Sequence, residues 1–418
     1  MSSLYVARNP RVAARSLDGE MMIMVKSGSI LIPISAATRQ MASQRSIESE
    51  LIGFPFMLIQ ETGLQRELNL DEIARRTPEN EAALLERKMA SSFIQGSGAI
   101  EWLWNTNSYM TEGNETPIGA VRTDSTEKPE ATLLREFARF APSLGVHLKG
   151  PQLPPVAIIT SQASQYSVLA DFQLEAQRRA VRALAYLDRL PVYVVAENRI
   201  ERLGNPKLVI LPSPQALGDA AWARLLNYVD AGGNLLITGP VERDEHWQER
   251  HRALDLGVKA HAEPLVYHNV ELKLGERQIS LAFGQQQQNW LDSLHFDDGS
   301  TLKEISHGKG RIFWAVYPIE LAEDLQSAAE LYSFVAGRVS LASPFSLLTP
   351  VPPGVLVFPT VMADSVLYVI VSDSDQDAAI NIRDQATGAP LVLRLPAQHV
   401  AIAVIGKTER RVVAKYGF

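Results

Sequence analysis

The sequence predicts a multidomain α/β protein, and three observations carry that prediction. Short apolar runs alternate with amphipathic helical stretches from residue 54 to 343, which is typical of strands and helices built around parallel sheets. After Pro350 the apolar residues recur with period two between Asp, Gly and Pro turns, which predicts a small antiparallel β-sandwich or barrel. The 418 residues are 46% apolar, enough for two to four domains at roughly 100 to 200 residues each.

Charge and composition exclude several functional classes. With 40 Lys and Arg against 47 Asp and Glu, the net charge is -7, which disfavours nucleic acid as a partner. The chain has no cysteine, so disulfides, zinc-thiolate sites and cysteine nucleophiles are excluded. The eight histidines match no metal template, and neither a metal nor a cofactor is expected. The apolar run Met21 to Ile34 is too interrupted to cross a membrane, and without a secretory signal we expect a cytoplasmic location.

Residues 1–50 form an irregular segment, with short strands expected at Met21 to Val25 and Ile30 to Ile34. Residues 51–147 then alternate strand, helix, strand, helix. The strands are expected at 55–60 and 99–104. The first helix begins near Pro78 and buries Leu85, Met89 and Phe93, and the second begins at Pro129 and buries Leu133, Leu134, Phe137 and Phe140.

A Pro- and Gly-rich linker over Leu148 to Pro155 leads into a second alternating block, 154–343. Its apolar runs predict an open, doubly wound α/β domain with strands at 156–160, 192–195, 207–211, 234–238 and 311–316. A helix is expected from Glu320 to Val339, and Gln285 to Gln288 are expected to form a polar loop. Residues 346–418 form the carboxyl-terminal β domain.

Glu61 is the leading candidate for chemistry. It directly follows the apolar strand at 55–60, at the strand end where parallel sheets and barrels place their active sites. The alternative is a structural carboxylate that caps the next loop or pairs with Arg66 or Arg75.

Trp104 and Asn105 lie at the same end of the neighbouring strand. A flat indole beside a carboxylate is a common way to hold a sugar ring, so Trp104 is the candidate stacking platform; a packing role is the alternative. Asn105 and Gln60 are weaker candidates for contacts to sugar hydroxyls.

Four segments together resemble the last two βα units of a clan A glycoside hydrolase barrel. They are Phe56-Met-Leu-Ile-Gln-Glu-Thr-Gly63, Arg87-Lys-Met-Ala-Ser-Ser-Phe-Ile-Gln-Gly96, Gly98-Ala-Ile-Glu-Trp-Leu-Trp-Asn-Thr-Asn107 and Gly119-Ala-Val-Arg-Thr-Asp-Ser-Thr-Glu-Lys-Pro-Glu130. The following α/β block and β-rich tail resemble the trimerisation and carboxyl-terminal domains of family forty-two β-galactosidases. The resemblance covers most of Pro55 to Phe418.

This resemblance implies a carbohydrate substrate and a retaining mechanism in which Glu61 is the nucleophile and Trp104 lines the sugar subsite. It also implies an acid/base carboxylate on the fourth strand of the barrel. A barrel spends about 31 residues per βα unit, so six preceding units need about 190 residues, and 53 precede Phe54. The chain is therefore expected to be a truncated form that lacks its acid/base, with little or no activity when isolated. An altered gene start is a further explanation for the first 50 residues.

Two Asn-Glu pairs occur, Asn80-Glu81 on the predicted helix and Asn114-Glu115 in the loop after the tryptophan strand. Glu115 is the alternative acid/base, against a solvated loop residue. The α/β block also resembles class I glutamine amidotransferase domains, but that activity needs a cysteine nucleophile and is excluded. Ser161 and Ser213 follow strands without the glycine frame of a nucleophile elbow, which disfavours a serine hydrolase.

The sequence therefore favours the carboxyl-terminal part of a β-galactosidase-like glycoside hydrolase. The alternative is a non-catalytic assembly or carbohydrate-binding module, in which the α/β domain mediates homo-oligomerisation. The sugar, its linkage and its anomer are not fixed by the sequence.

Overall fold

The structure, a computed structural model, describes residues 78–94, 124–127 and 129–418, together with three strands near the amino terminus. Two compact units are present. The first consists of Met1–Gln152 with Pro344–Phe418, and the second of Leu153–Ser343. Within the described residues, no helix combines the length and the apolar character that a membrane span requires.

The first unit begins with a small antiparallel sheet of β1 (Val12–Leu17), β2 (Glu20–Val25) and β3 (Pro33–Ile34). The helices α1 (Pro78–Phe93) and α2 (Pro129–Gly145) both begin at a proline, whose fixed φ suits a first turn. As predicted, Leu85, Met89 and Phe93 of α1 are buried. The strands predicted at 55–60 and 99–104 lie outside the described residues.

The second unit is a mixed α/β unit. Its strands are β4 (Val156–Thr160), β5 (Val192–Ala196), β6 (Leu208–Leu211), β7 (Asn234–Thr238), β8 (Ala260–Pro264), β9 (Asn269–Leu274), β10 (Arg277–Ala282), β11 (Asp292–Phe296), β12 (Leu302–His307) and β13 (Gly310–Ala315). Its helices are α3 (Gln162–Gln165), α4 (Ala170–Arg182), α5 (Asp219–Asp230), α6 (Arg252–Asp255), α7 (Gln285–Trp290) and α8 (Leu325–Arg338). A π-helical turn (Ala183–Leu187) extends α4, and short 3₁₀ helices lie at Glu197–Arg202 and Ile319–Leu321.

The main sheet of this unit has the order β12-β13-β7-β6-β4-β5, and every neighbouring pair except β12 with β13 is parallel. Successive side chains of a strand face opposite sides of the sheet, so each strand contributes residues to two hydrophobic cores. Val156 and Ile158 enter the core formed with α4 and α8, whereas Ala157 and Ile159 enter the core formed with α5. Helices therefore cover both faces of the sheet, as its continuously apolar strands predict.

Two local predictions in this unit were wrong. Gln285 to Gln288 do not form a loop, because they begin α7. The helix predicted from Glu320 starts instead at Leu325, since Asp324 caps it by accepting a hydrogen bond from the Gln326 N–H (2.9 Å). Glu320 itself belongs to the preceding 3₁₀ turn, where it becomes part of a buried network.

The first unit ends in seven antiparallel strands: β14 (Phe345–Leu347), β15 (Val355–Val361), β16 (Ser365–Ser372), β17 (Ala378–Asp384), β18 (Pro390–Leu395), β19 (Val400–Gly406) and β20 (Arg411–Tyr416). They form two sheets, β14-β17-β18 and β15-β16-β19-β20, which share one apolar core. The Tyr368 hydroxyl in one sheet donates to Asp384 in the other (2.6 Å). Alternating burial in β17 and β18 is the period-two pattern that the sequence displays.

Helix α1 is fixed to these strands by charged groups. The Glu86 carboxylate is buried and lies 2.7 Å from Nδ1 of His399, and it accepts a hydrogen bond from the Tyr416 hydroxyl (3.2 Å). The Arg87 guanidinium donates to the carbonyl of Gln398 (2.6 Å). The helix and the carboxyl-terminal strands thus belong to one packed unit.

Candidate functional site

The predicted site residues Gln60, Glu61, Trp104 and Asn105 lie outside the described residues, and so does Glu115. Their mutual geometry stays a prediction. Open α/β sheets bind ligands at the carboxyl ends of their parallel strands. Among the described residues, the corresponding place is the carboxyl edge of the parallel sheet in the second unit.

Strand order reverses between β4 and β6, and this switch point is filled by protein. The Ser161 hydroxyl, directly after β4, donates to the carbonyl of Ala216 (2.7 Å). The Ser164 hydroxyl donates to the carbonyl of Pro214, and the Gln173 amide donates to that of Pro212 (3.4 Å). The loop after β6 is therefore held across the crevice in which related sheets bind ligands.

The same loop contains two strained residues. Ser213 and Gln215 both have positive φ angles, 44° and 56°, which non-glycine residues seldom adopt. Gln215 is held by two hydrogen bonds to the backbone of Asp292, donating to its carbonyl (3.0 Å) and accepting from its N–H (2.9 Å). Such bonds offset strain that is otherwise of the order of 1–3 kcal/mol per residue.

Ser213 belongs to a buried network centred on Glu320, which is fully shielded from solvent. The Glu320 carboxylate accepts hydrogen bonds from the hydroxyls of Ser213 (2.6 Å), Thr238 (2.7 Å) and Tyr332. Among the described residues, no histidine contacts Ser213, whose hydroxyl is committed to Glu320. The arrangement supports the sequence-based argument against a serine nucleophile and assigns Glu320 a structural role.

Burial raises the pKa of Glu320, although the three hydroxyl donors oppose that shift. A carboxyl group whose pKa is higher in the folded state binds protons more tightly there than in the unfolded chain. Its contribution to stability is therefore fully present below the usual pKa of about 4.5 and declines as the pH rises toward the raised value.

We expect Glu320→Gln to make the stability of the second unit less dependent on pH, because the amide keeps the side-chain volume but does not titrate. The free energy of unfolding, measured by denaturant titration between about pH 5 and about pH 8, should fall less steeply with pH in the variant than in the wild type. Parallel pH profiles for the two proteins would contradict this assignment. Glu323→Gln is the matched control, because it makes the same chemical change at an exposed position of the same unit and should leave the pH profile unchanged.

A second internal carboxylate lies at the same edge. Glu197, directly after β5, is 8% exposed, and its Oε2 atom is shielded without a hydrogen-bond partner among the described residues. The backbone N–H groups of Gln162, Ala163 and Gly218 lie close to the carboxylate. Burial raises the pKa of Glu197, whereas those donors lower it. These N–H groups belong to the starts of α3 and α5, positions that commonly bind anions. A side chain of the protein therefore occupies the place of an anionic ligand.

A cluster of charged residues surrounds the start of α5. Carboxylate oxygens of Asp219, Asp244 and Glu245 lie within 4.8 Å of one another, a spacing that a cation would accept. Asp219 instead binds two guanidinium groups, those of Arg250 (2.9 Å) and Arg252 (2.8 Å), and Asp244 also binds Arg250. The arginines already neutralise this cluster, and we infer no metal site from it.

Arg252 differs from its neighbour Arg250 in being buried, with 2% of its side chain exposed against 38%. Its guanidinium donates to the carbonyls of Val241 (2.8 Å) and Leu217 (2.6 Å) and lies 5.5 Å from the ring centroid of Trp222. A buried charge of this kind is stable only while all its partners are present.

No protein-family model matches the sequence, and no curated protein matches it. Solved structures do match. A catalytic variant of a GH42 β-galactosidase from G. stearothermophilus superposes with a TM-score of 0.61 at 15% identity, covering 79% of this chain and 51% of that one. The chain has the fold of the carboxyl-terminal part of GH42 β-galactosidases.

Two further β-galactosidase structures agree. The β-galactosidase from Bacillus circulans sp. alkalophilus gives a TM-score of 0.60 at 14% identity, covering 77% of this chain and 52% of that one. The cold-adapted β-galactosidase from Rahnella sp. R3 gives 0.57 at 17% identity, covering 85% and 58%. The chain thus spans a little over half the length of the β-galactosidases it matches. At these identities the similarity is one of fold.

Sequence reasoning missed Glu197, Arg252 and Glu320. Glu197 and Glu320 carry the same signal as Glu61, an acidic residue close behind a buried strand that ends at the carboxyl edge of a sheet. This sequence pattern identifies carboxylates at the edge of the sheet. It does not distinguish an accessible nucleophile from a buried structural carboxylate. Arg252 carries no sequence signal, because most arginines are exposed.

Proposed function

We propose that this protein hydrolyses carbohydrates as a retaining glycoside hydrolase of the β-galactosidase type, with Glu61 as its nucleophile. The observation that supports this most directly is the likeness to GH42 β-galactosidases, which extends over 79% of the chain. The predicted position of Glu61, at the end of the strand expected at 55–60, supports its role, since parallel strands present catalytic groups at their carboxyl ends.

In this proposal the Glu61 carboxylate attacks the anomeric carbon and forms a covalent glycosyl-enzyme, which water then hydrolyses. Trp104 holds the sugar ring, and Asn105 and Gln60 contact its hydroxyls. A second carboxylate, about 5 to 5.5 Å from Glu61, protonates the leaving oxygen and later deprotonates the water. The family resemblance matches no residue of this chain to that acid/base; Glu115 is the alternative within it.

The finer architecture belongs to the same proposal. Residues 51–147 would supply the last βα units of the barrel, and residues 154–343 a trimerisation-like domain with the topology of glutamine amidotransferases. Homo-oligomer formation through that domain is part of the proposal. The filled switch point supports a scaffolding role for it, because Ser161, Ser164 and Gln173 close the usual ligand crevice.

That filled crevice also favours a second candidate function, a non-catalytic assembly or carbohydrate-binding module built on the α/β unit. In this case Glu61 would be structural, as Glu197 and Glu320 are. The two functions differ in whether Glu61 reacts with a sugar.

Covalent trapping separates them. The probe is 2,4-dinitrophenyl 2-deoxy-2-fluoro-β-galactoside, whose leaving group departs without protonation, so labelling does not depend on the acid/base. We expect peptide mass spectrometry of the wild-type chain to place the fluorosugar on Glu61, with one label per chain. Glu61→Gln should take up no label, and the matched variant Glu115→Gln should be labelled like the wild type. A label on another residue, or no label on the wild type, would contradict the proposed nucleophile.

A further inference from the structure

A second candidate site lies in the α/β unit, away from the carboxyl edge of the sheet. A cavity of about 570 Å³ opens between the turn that joins β9 to β10, helix α8 and the residue that follows the π-helical turn. Its lining residues are Asp188, Leu274, Gly275, Glu276, Arg277, Gln326, Ala329, Glu330, Ser333 and Phe334. The volume lies within the range of small-molecule sites, roughly 300 to 1,000 Å³.

The inner wall is apolar and partly aromatic. Leu274 and Ala329 are buried, and Phe334 is half-buried. Gly275 stands opposite the Phe334 ring, with a positive φ of 63°, and a Cβ atom there would lie 3.9 Å from the ring. Because glycine adds no side chain, the ring edge stays open to the cavity.

The rim of the cavity consists of polar side chains that have no partner among the described residues. Glu276, Arg277, Gln326 and Glu330 are exposed, and none of their side chains forms an ion pair or a hydrogen bond with another described residue. Elsewhere on this unit comparable groups are paired: Glu304, for example, binds both Arg311 (2.9 Å) and Arg338 (2.6 Å). Carboxylate, amide and guanidinium groups free at one rim offer several hydrogen-bonding positions around an apolar wall.

Asp188 contributes a group that can change its hydrogen-bonding role. Its Oδ1 accepts a hydrogen bond from the Ser333 hydroxyl (2.6 Å), while its Oδ2 is shielded and has no partner within the described part of the chain. Burial raises the pKa of Asp188 to about 7, against the opposing effects of Ser333 and Arg189. Near neutral pH this carboxyl group therefore exists both as a donor and as an acceptor.

We propose that this cavity is an accessory site for a neutral saccharide of one or two rings. The apolar face of a pyranose would lie against Phe334, and its hydroxyls would bind the side chains of Gln326, Glu330 and Arg277. Three carboxylates at the wall and rim disfavour a phosphorylated or sulfated ligand, and an apolar ligand would leave the rim groups unpaired. The choice of a sugar rests on the proposed function, whereas the site is separate from Glu61.

Titration of the full-length chain with lactose, followed by isothermal calorimetry or by saturation-transfer NMR, tests the proposal. The Glu61→Gln background prevents turnover and removes any dependence on catalysis. We expect binding in this background and a loss of affinity of about tenfold or more in Gln326→Ala/Glu330→Ala, since each change removes hydrogen bonds to the ligand. Both residues are exposed, so the double variant should fold normally. Glu323→Ala, an exposed change just outside the cavity, is the matched control.

Equal lactose affinity in the double variant and the control would overturn the accessory site, as would the absence of lactose binding. Binding of putrescine in place of lactose would overturn it too, by identifying a cation site. Failure here is distinguishable from failure of the proposed function, because fluorosugar labelling of Glu61 is read independently. Lactose binding that depends on Gln326 and Glu330 without any labelling would support the carbohydrate-binding module.

Discussion

Replacing Glu61 by Gln is expected to lower the rate of 2,4-dinitrophenyl β-galactoside hydrolysis by at least about 1,000-fold. The amide is a poor nucleophile, so the covalent intermediate cannot form, whereas the volume and hydrogen-bonding positions of the side chain are retained. The measurement is kcat/KM at neutral pH for the wild type and the variant. This substrate has an activated leaving group, so the assay does not depend on a general acid, whose contribution to the rate is otherwise typically about 100-fold to 10,000-fold.

Glu115→Gln is the matched control, and its rate should stay within a few-fold of the wild-type rate. Azide provides a positive test in Glu61→Ala, because the shortened side chain leaves space in which the small anion can attack the anomeric carbon in place of the carboxylate and form a glycosyl azide of inverted configuration. Rescue of Glu61→Ala by azide would establish the side of the sugar on which position 61 lies. Unchanged kcat/KM in Glu61→Gln would remove this residue from the mechanism.

The largest expected effect on stability comes from Arg252→Met, which should destabilise the second unit by about 3–5 kcal/mol. The variant keeps an apolar stem of similar length but removes the donors that satisfy the carbonyls of Val241 and Leu217, and these carbonyls lie where water does not reach. Urea unfolding followed by tryptophan fluorescence measures the change, since Trp222 lies against the guanidinium.

Arg250→Met is the control for this prediction. Arg250 binds the same partner, Asp219, and also Asp244, but 38% of its side chain is exposed, so solvent weakens these ion pairs and we expect a much smaller loss of stability than in Arg252→Met. Similar losses in the two variants would show that burial of Arg252 is not the source of the effect.

The fold of the α/β unit could be predicted in most respects because its strands are short, continuously apolar runs that only a doubly covered sheet accommodates. In the carboxyl-terminal domain, strands β17 and β18 also follow the visible period of two. The prediction failed where local chemistry decides: Gln285 to Gln288 form a helical turn, and the capping of α8 by Asp324 moves its start past Glu320. Capping residues and short helices leave little trace in hydrophobic periodicity.

The candidate site was less predictable than the fold. An acidic residue close behind a strand marks the carboxyl edge of a sheet, but Glu197 and Glu320 show that such a residue can be enclosed by hydroxyl and amide donors. Whether such a carboxylate is enclosed depends on loops that are distant in sequence, such as Ser213 to Gln215. The residues next to the carboxylate in the sequence do not predict it. The same distinction must be measured for Glu61.

The internal position of Glu197 has a consequence for how this unit responds to its surroundings. An incoming phosphate or carboxylate metabolite would have to displace the Glu197 side chain. Because that side chain is covalently attached to the protein, its effective concentration at the site is constant. The architecture is therefore expected to be indifferent to the supply of small anions in the cell, so that its melting temperature does not follow metabolic state. Such indifference agrees with the scaffolding role that we propose for this unit.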